Sequence, residues 1–193
     1  MQFFGGGEEL LQRSDVPQWN LLNGSSNWSG VWHQATSGDG SVTNLKDQYG
    51  NLFVRHSTSA WQGTNQSCYL TESRFYTFSL IFKNETKTII HCQFFANQVA
   101  GATVEIQPVV TYIDGSKVVA DDKGNIALPK DDLEHIISFT FAVTKSGISN
   151  LRMEVPEGGS YLISSFKLEY GTKATRWMPA ITDLMLKNEN GGN

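Results

Sequence analysis

Aromatic side chains set among uncharged polar residues are the feature of this sequence with the clearest chemical use. Trp61 is followed by Gln62, and Asn65 comes four positions after the Trp in the same polar segment. A rigid aromatic ring can pack against the apolar C–H face of a sugar, while Asn, Gln and Arg side chains bond its hydroxyl groups. These segments therefore have the chemistry of a site for a neutral ligand that is rich in hydroxyl groups. Its candidate residues are Trp61, Trp32, Tyr49, Trp28, Arg55, Gln62 and Asn65.

The Trp residues also have structural alternatives. Trp28 lies in a loop rich in Ser and Asn, where stacking on a ligand and capping of the core are equal alternatives. Trp19 and Trp177 adjoin the first and last predicted strands, and we assign both to packing. Trp61 is the strongest candidate for ligand contact, because its neighbours are uncharged groups that form hydrogen bonds.

The acidic residues do not form a pattern typical of catalysis. Most of them fall in turn-like segments such as 121–122 and 131–134, where a solvated surface position is the simplest interpretation. A glycosidase sets two carboxylates across a sugar, a separation that spacing along the chain does not define. The four His residues lack metal-ligand spacing, and no Gly-x-Ser-x-Gly motif occurs. We therefore expect a protein that is not an enzyme and has no catalytic residues.

Composition limits the classes of partner. Only 18% of residues are charged, and the net charge is -4, which disfavours nucleic acid because its binding needs a basic surface. The sequence contains no stretch of about 18 apolar residues, so we expect no insertion into a membrane. The N-terminal segment lacks the basic and apolar regions of a signal peptide. We expect a chain that stays in a cytosol, is assembled into a particle, or is cut from a larger polypeptide.

The two cysteines leave three alternatives. Cys68 and Cys92 both lie in strand-like segments, where they could be reduced buried thiols, form one disulfide, or bind a metal as a pair. No His pattern accompanies them, so a metal site is the least favoured alternative.

Apolar and polar residues alternate with a period of two along most of the chain. Residues 74–83 and 136–143 show this alternation most clearly, and Asp114-Gly115 is a hairpin signal between two strand patterns. About eight to ten short strands with frequent turns predict an all-β fold, an antiparallel β-sandwich of the jelly-roll type. We divide the chain into a leader or linker (1–18), the sandwich (19–180) and a disordered polar tail (181–193).

Several motifs, taken in order, resemble those of a known family. Residues 19–24 open the first predicted strand, residues 61–63 place an aromatic and a Gly ahead of the strand 67–70, and residues 74–79 form a strand rich in Tyr, Phe and Ser. The most specific piece is the closing motif of residues 168–171 and 174–179, with a Gly turn, Trp177 and Pro179. Together these segments resemble the carbohydrate-binding modules of bacteriophage tail and baseplate proteins, a galactose-binding-like β-sandwich family.

The resemblance implies a function and a setting. It implies a non-catalytic domain of a phage tail or baseplate protein that adheres to the cell-wall polysaccharide of a Gram-positive host. The partners would be the host surface saccharide and other tail or baseplate proteins, and the location would be the virion, acting at the bacterial surface. Two alternatives stay open: a binding module of a secreted glycoside hydrolase, and a purely structural tail domain that mediates protein contacts.

The resemblance also bears on metals and on where the ligand lies. Modules of this kind often hold a structural Ca²⁺ through strand-end carboxylates, and Glu169 is the acidic residue placed for that role. We otherwise expect no cofactor. The site could lie on a concave sheet face or at a loop edge, and neither the saccharide nor the oligomeric state follows from the sequence.

Overall fold

The computed structural model describes residues 18–28, 33–34, 40–57, 60–86, 88–98 and 105–190. Within these ranges the chain forms twelve β-strands and one α-helix. In chain order they are β1 (His33–Gln34), β2 (Ser41–Lys46), β3 (Leu52–His56), β4 (Gln62–Leu70), β5 (Arg74–Asn84), β6 (Ile90–Gln98), β7 (Glu105–Ile113), β8 (Ser116–Val118), β9 (Ile126–Leu128), β10 (His135–Lys145), β11 (Gly147–Val155), β12 (Tyr161–Tyr170) and α1 (Ile181–Asn190).

The strands form two antiparallel sheets that pack face to face. One sheet has five strands in the order β1-β4-β11-β6-β9, and the other has seven in the order β2-β3-β12-β5-β10-β7-β8. Each neighbouring pair is antiparallel. The predicted all-β class, an antiparallel jelly-roll β-sandwich, is confirmed.

The alternation in β5 and β10 decides which side chains enter the core. Phe78 and Phe82 of β5, and Phe139 and Phe141 of β10, are buried in the hydrophobic cluster between the sheets. The residues between them, such as Thr77, point to the outer face of the seven-stranded sheet, since neighbouring residues of a strand point to opposite faces. On this outer face β5 and β10 carry hydroxyl side chains and Ile in their central parts, with Phe75 and Lys83 near the two ends of β5.

The segment after β12 folds back over this outer face. The Thr77 hydroxyl donates a hydrogen bond to the Gly171 carbonyl at 2.9 Å, and the Thr140 hydroxyl donates to the Thr172 carbonyl at 3.1 Å. We call residues 171–180 the closing segment. The carbonyl groups of Gly171 and Thr172 therefore accept hydrogen bonds from side chains of the sheet.

Residues 19–22, predicted as a strand, are irregular and lead into a series of turns. The side-chain amide of Asn20 replaces strand pairing there. Its Nδ2 donates to the Phe166 carbonyl at 2.7 Å, and its Oδ1 accepts from the backbone N–H groups of Leu168 and Leu22 at 3.0 and 2.9 Å. The Leu21 N–H also donates to the Leu168 carbonyl at 2.9 Å, so the buried Asn20 side chain and this backbone bond together fix the segment against β12.

The predicted disordered tail is wrong for residues 181–190, which form α1. The Asp183 carboxylate accepts hydrogen bonds from the Gly24 N–H at 2.9 Å, and the Thr182 hydroxyl donates to the Asn23 side chain at 2.7 Å. These contacts with a distant turn favour the helix, which the polar composition alone does not predict. In the described ranges no helix is long and apolar enough to cross a membrane.

The two cysteines are free thiols, so the disulfide alternative is wrong. Cys92 is fully buried and Cys68 is partly buried, and both pack in or against the core cluster. Burial raises the pKa of the Cys68 thiol to about 12. Both side chains act as small apolar core residues.

Candidate functional site

A cleft of about 450 Å³ lies on the outer face of the seven-stranded sheet. Ile136 and Ser138 of β10 lie at its base. Tyr112, Asp114 and Gly115 contribute from the β7–β8 hairpin, and Tyr49 and residues 172–176 of the closing segment complete the lining. This volume is within the range of about 300–1,000 Å³ that is typical of small-ligand sites.

Strand register brings the polar residues of the cleft together. Tyr112 of β7 pairs with Ser138 of β10, and Ser138 pairs in turn with Ser79 of β5. On the other side, Tyr112 pairs with Lys117 of β8. Directly paired residues of antiparallel strands share a face, so this row presents an ammonium, a phenol and hydroxyls side by side.

The β7–β8 hairpin is held by the Asp114 carboxylate. Asp114 and Gly115 have φ values of 49° and 80°, as a tight hairpin turn requires. The Ile136 N–H donates to Asp114 Oδ1 at 2.9 Å, and the His135 imidazole makes a hydrogen bond to Asp114 Oδ2. His135 also contacts Asp131 at 2.9 Å. The negative charge of Asp114 is therefore engaged by a neighbouring group instead of being directed only at the cleft.

His135 has a shifted proton affinity. Burial on its own lowers the pKa of the imidazole, but the hydrogen bonds and charges of Asp114 and Asp131 outweigh burial and raise the pKa above the ordinary 6.5. The imidazole also stacks on Phe82, with ring centroids 5.5 Å apart. A carboxylate on each side favours the protonated ring.

The loop that carries Tyr49 is tied to β12 by the buried carboxylate of Asp47. Asp47 accepts hydrogen bonds from the Tyr49 N–H at 2.8 Å and from the Ser164 hydroxyl at 2.6 Å, and Ser165 donates to it as well. The Tyr49 ring stacks on Trp177, and the Arg176 guanidinium lies 5.8 Å from its centroid. Burial raises the pKa of the Tyr49 phenol. Tyr49 is therefore held in place on several sides.

The closing segment is anchored by an ion pair beneath it. Lys167 Nζ lies 3.0 Å from Glu169 Oε2, and both side chains are fully buried. Lys167 also donates to the Arg176 carbonyl at 3.0 Å, and Glu169 accepts from the Thr175 N–H at 2.8 Å. Burial lowers the pKa of Lys167, and Glu169 opposes that shift. These bonds give the wall of the cleft a defined position.

The same contacts bear on the predicted calcium role of Glu169. Its carboxylate already receives the Lys167 ammonium and the Thr175 backbone and hydroxyl donors. The described residues contain no group of three His, Cys, Asp or Glu side chains that could hold a metal ion. A calcium ion at Glu169 would have to displace Lys167, and calcium binding there stays a prediction.

The structure places the predicted binding residues in different parts of the molecule. Tyr49 lines the cleft. Trp61 is 48% exposed at the start of β4, with φ of 60°, and is not part of the cleft lining. Asn65 lies farther along β4 on the outer face of the five-stranded sheet and accepts a hydrogen bond from Asn150 at 3.2 Å. Trp32 lies outside the described residues.

Two of the predicted contact residues are wrong because their side chains are buried. Trp28 is 8% exposed, donates from its indole N–H to the Leu52 carbonyl at 2.6 Å, and packs edge-on against Phe166. Of its two alternatives, capping of the core is therefore the observed role. Gln62 is 2% exposed. Arg55 is partly exposed, but it pairs with both carboxylate oxygens of Glu85 at 2.7 and 2.9 Å.

Most of the residues that line the cleft are not among the candidates predicted from the sequence. In the sequence Tyr112 lies in the strand pattern that precedes the Asp114-Gly115 turn. Arg176 belongs to the closing motif and Lys173 lies between its two parts, and neither is a candidate for ligand contact in the sequence analysis. Neighbouring residues of a strand point to opposite faces, so Tyr112 is expected to point away from the core because Ile113 points towards it. The sequence does not show that residues 172–176 fold against the face that carries Tyr112.

One comparison with a solved structure supports the fold. The chain is similar to a solved CBM22-1 xylan-binding domain of Xyn10C from Paenibacillus barcinonensis, at 15% identity and a TM-score of 0.51, over 78% of this chain and 92% of that one. It also matches a solved CBM35 from the same organism, at 13% identity and a TM-score of 0.37, over 74% and 100% of the two chains. No family model matches the sequence, and no curated protein matches it. The first similarity shows that this β-sandwich has the fold of a carbohydrate-binding module.

Proposed function

We propose that this protein is a non-catalytic carbohydrate-binding domain that holds a saccharide in the cleft between the β7–β8 hairpin and the closing segment. The observation that carries the proposal is the lining of the cleft. Tyr112 offers an aromatic ring on which no other ring of the described residues stacks, and Ser138 and Thr172 offer hydroxyl groups. An aromatic ring beside hydroxyl groups is suited to the apolar face and polar rim of a sugar.

Binding without catalysis fits the carboxylates of the cleft. Asp114 is the one carboxylate among the described lining residues, and it is bound to His135 and to the Ile136 N–H. Hydrolysis of a glycosidic bond ordinarily uses two carboxylates on opposite sides of the sugar. Asp114 alone can orient a ligand, but it does not provide the pair of carboxylates that hydrolysis ordinarily uses.

The affinity of one site is expected to be weak. A shallow saccharide site gives a Kd of about 10⁻⁵ to 10⁻³ M, which corresponds to about 4 to 7 kcal/mol of binding free energy. Several copies on one particle would raise the apparent affinity without any new contact.

The biological setting that we propose is a phage tail or baseplate, with adhesion to host cell-wall polysaccharide. The support is the resemblance of the closing motif and the strand motifs to phage modules. The glycoside hydrolase alternative also has support, because the Xyn10C domain whose fold this chain shares is a xylan-binding domain. A structural tail domain is the third alternative, and it predicts that the cleft binds no sugar.

The test is saccharide binding by the wild-type protein and three variants. Wild type, Tyr112→Ala, Trp61→Ala and the control Tyr69→Ala are compared on immobilised wall polysaccharides and on xylan. Tyr69 is a suitable control because it is 66% exposed and lies on β4, in the other sheet. We expect Tyr112→Ala alone to lose binding by about tenfold or more, as loss of an aromatic anchor usually does.

Each other result has a defined meaning. Loss in Trp61→Ala but not in Tyr112→Ala would move the site to the start of β4 and overturn the cleft as the site. A folded wild-type protein that binds none of the glycans would overturn saccharide binding and favour the structural tail domain. Binding to xylan and not to wall polysaccharide would favour the hydrolase module.

A further inference from the structure

We infer that the cleft takes an acidic saccharide, one that carries a carboxylate or a phosphate, and this inference rests on the proposed function. The evidence is the charge of the cleft. Lys173 and Arg176 both line it from the closing segment. Lys117 lies beside it, since it is the direct partner of Tyr112 across the β7–β8 hairpin and shares its face.

These three cations have no acidic partner in the described part of the chain. The ion pairs found there involve Arg55, Lys83, Arg152 and Lys167, together with His91 and His135. The described contact of the Arg176 guanidinium is with the face of the Tyr49 ring, at 5.8 Å. A contact with an aromatic face leaves the five N–H donors of the guanidinium edge available.

The acidic groups near the cleft are already engaged. Asp114 and Asp131 both bind His135, whose raised pKa favours its cationic form. Glu169 is paired with Lys167 below the closing segment. Glu134 accepts a hydrogen bond from the Gln48 N–H at 2.9 Å. The Asp47 carboxylate accepts hydrogen bonds from Ser164 and Ser165. In the described ranges none of these carboxylates forms an ion pair with Lys117, Lys173 or Arg176, so the three cations stay available to a ligand although the whole chain has a net charge of -4.

The geometry of Arg176 is suited to an oxyanion. A guanidinium presents a planar fork that bonds both oxygens of a carboxylate or phosphate, and charge-assisted bonds of this kind are stronger than neutral ones. Stacking over Tyr49 restricts the guanidinium, so less rotamer freedom is lost on binding. A sugar ring on Tyr112 with its acidic group at Arg176 and Lys173 would use both walls of the cleft.

The experiment uses titration calorimetry with three probes. They are an oligogalacturonate, the same oligomer after reduction of its carboxyl groups to neutral hydroxymethyl groups, and this reduced oligomer after phosphorylation of its hydroxymethyl groups. The wild-type protein is compared with the double variant Lys173→Gln/Arg176→Gln and with the control Lys145→Gln. Lys145 is an exposed cation at the end of β10 and does not line the cleft.

We expect at least one anionic probe to bind about tenfold or more tightly than the reduced oligomer, which is the usual effect of one or two charge-assisted hydrogen bonds. The double variant should lose this preference and keep weak binding of the neutral oligomer, while Lys145→Gln keeps the preference. Raising the salt concentration from about 0.05 M to about 0.5 M should reduce it, because exposed charges are screened. The choice between the galacturonate and the phosphate oligomer identifies the source of the anion.

Other results would overturn the inference in distinguishable ways. Equal binding of the charged and reduced oligomers, with loss in Tyr112→Ala, would overturn the acidic class and keep the cleft as a neutral saccharide site. A preference that survives the double variant would place the anion elsewhere. Absence of binding to every probe, with a folded protein by circular dichroism, would overturn the inference and count against the proposed function too.

Discussion

Tyr49 and Trp177 stack on one another, with ring centroids 6.4 Å apart and an angle of 22° between the ring planes. They come from segments that are far apart in the sequence, the loop before β3 and the closing segment. This contact connects both segments to the same side of the seven-stranded sheet. The closing motif, interpreted from sequence as a structural end, therefore also forms a wall of the cleft.

Replacing Trp177 by Ala should weaken both the fold and the cleft. The substitution removes the stacked ring under Tyr49, and we expect a loss of about 2–4 kcal/mol in the free energy of unfolding, as for other large-to-small changes at packed positions. Saccharide affinity should fall as well, since Arg176 and Thr175 adjoin the position. Urea unfolding followed by circular dichroism measures the first effect. Trp177→Phe is the matched control, because it keeps an aromatic ring at this position. If Trp177→Phe lost as much stability as Trp177→Ala, aromatic packing would not be the reason for the loss.

The buried pair Lys167 and Glu169 should respond differently to single and double substitution. Glu169→Gln leaves an uncompensated ammonium in a dry position, so we expect a loss of about 3–5 kcal/mol. Lys167→Met/Glu169→Leu removes both charges and should cost less than the single change. Urea unfolding of the three proteins provides the measurement. A double variant that is less stable than Glu169→Gln would contradict the expected cost of an unpaired buried ammonium.

Trp28 and Trp61 provide a matched test of burial. Trp28→Ala removes a ring that is 8% exposed and bonded to the Leu52 carbonyl, so we expect a loss of about 3–5 kcal/mol of stability. Trp61→Ala removes a ring that is 48% exposed and should change stability by about 1 kcal/mol or less. Thermal and urea unfolding of the two variants test this order, and the reverse order would contradict the placement of Trp28 in the core.

The stability that His135 provides should depend on pH. Its pKa is raised above 6.5 in the folded protein by Asp114 and Asp131, against the effect of burial. The folded state therefore binds the proton more tightly than the unfolded chain does. This contribution is fully present below the unfolded pKa and is lost as the pH rises through the folded pKa.

The measurement compares wild type with His135→Gln at about pH 5.5 and about pH 8.5, where the aspartates stay ionised. The stability advantage of the wild type should be larger at the lower pH. Loss of the stacking on Phe82 adds a difference that does not vary with pH. An advantage that is the same at both pH values would show that the imidazole is not stabilised as a cation.

The sequence determines the fold class because the information is local. A period of two in residues 74–83 and 136–143 assigns Phe78 and Phe139 to the core and Thr77 and Ser138 to the outer face, and the sheets confirm this. The Asp114-Gly115 turn is likewise a local property, because its backbone conformation requires residues that tolerate positive φ.

Only the tertiary structure decides which polar residues meet. Tyr112, Ser138 and Arg176 become neighbours through strand register and through the return of the closing segment, and both depend on contacts between distant residues. The three aromatic residues all lie in polar loops of the sequence, yet Trp28 is buried, Trp61 is half exposed and Tyr49 lines the cleft. Side-chain type shows what a residue can bind, whereas burial and position depend on how the whole chain packs.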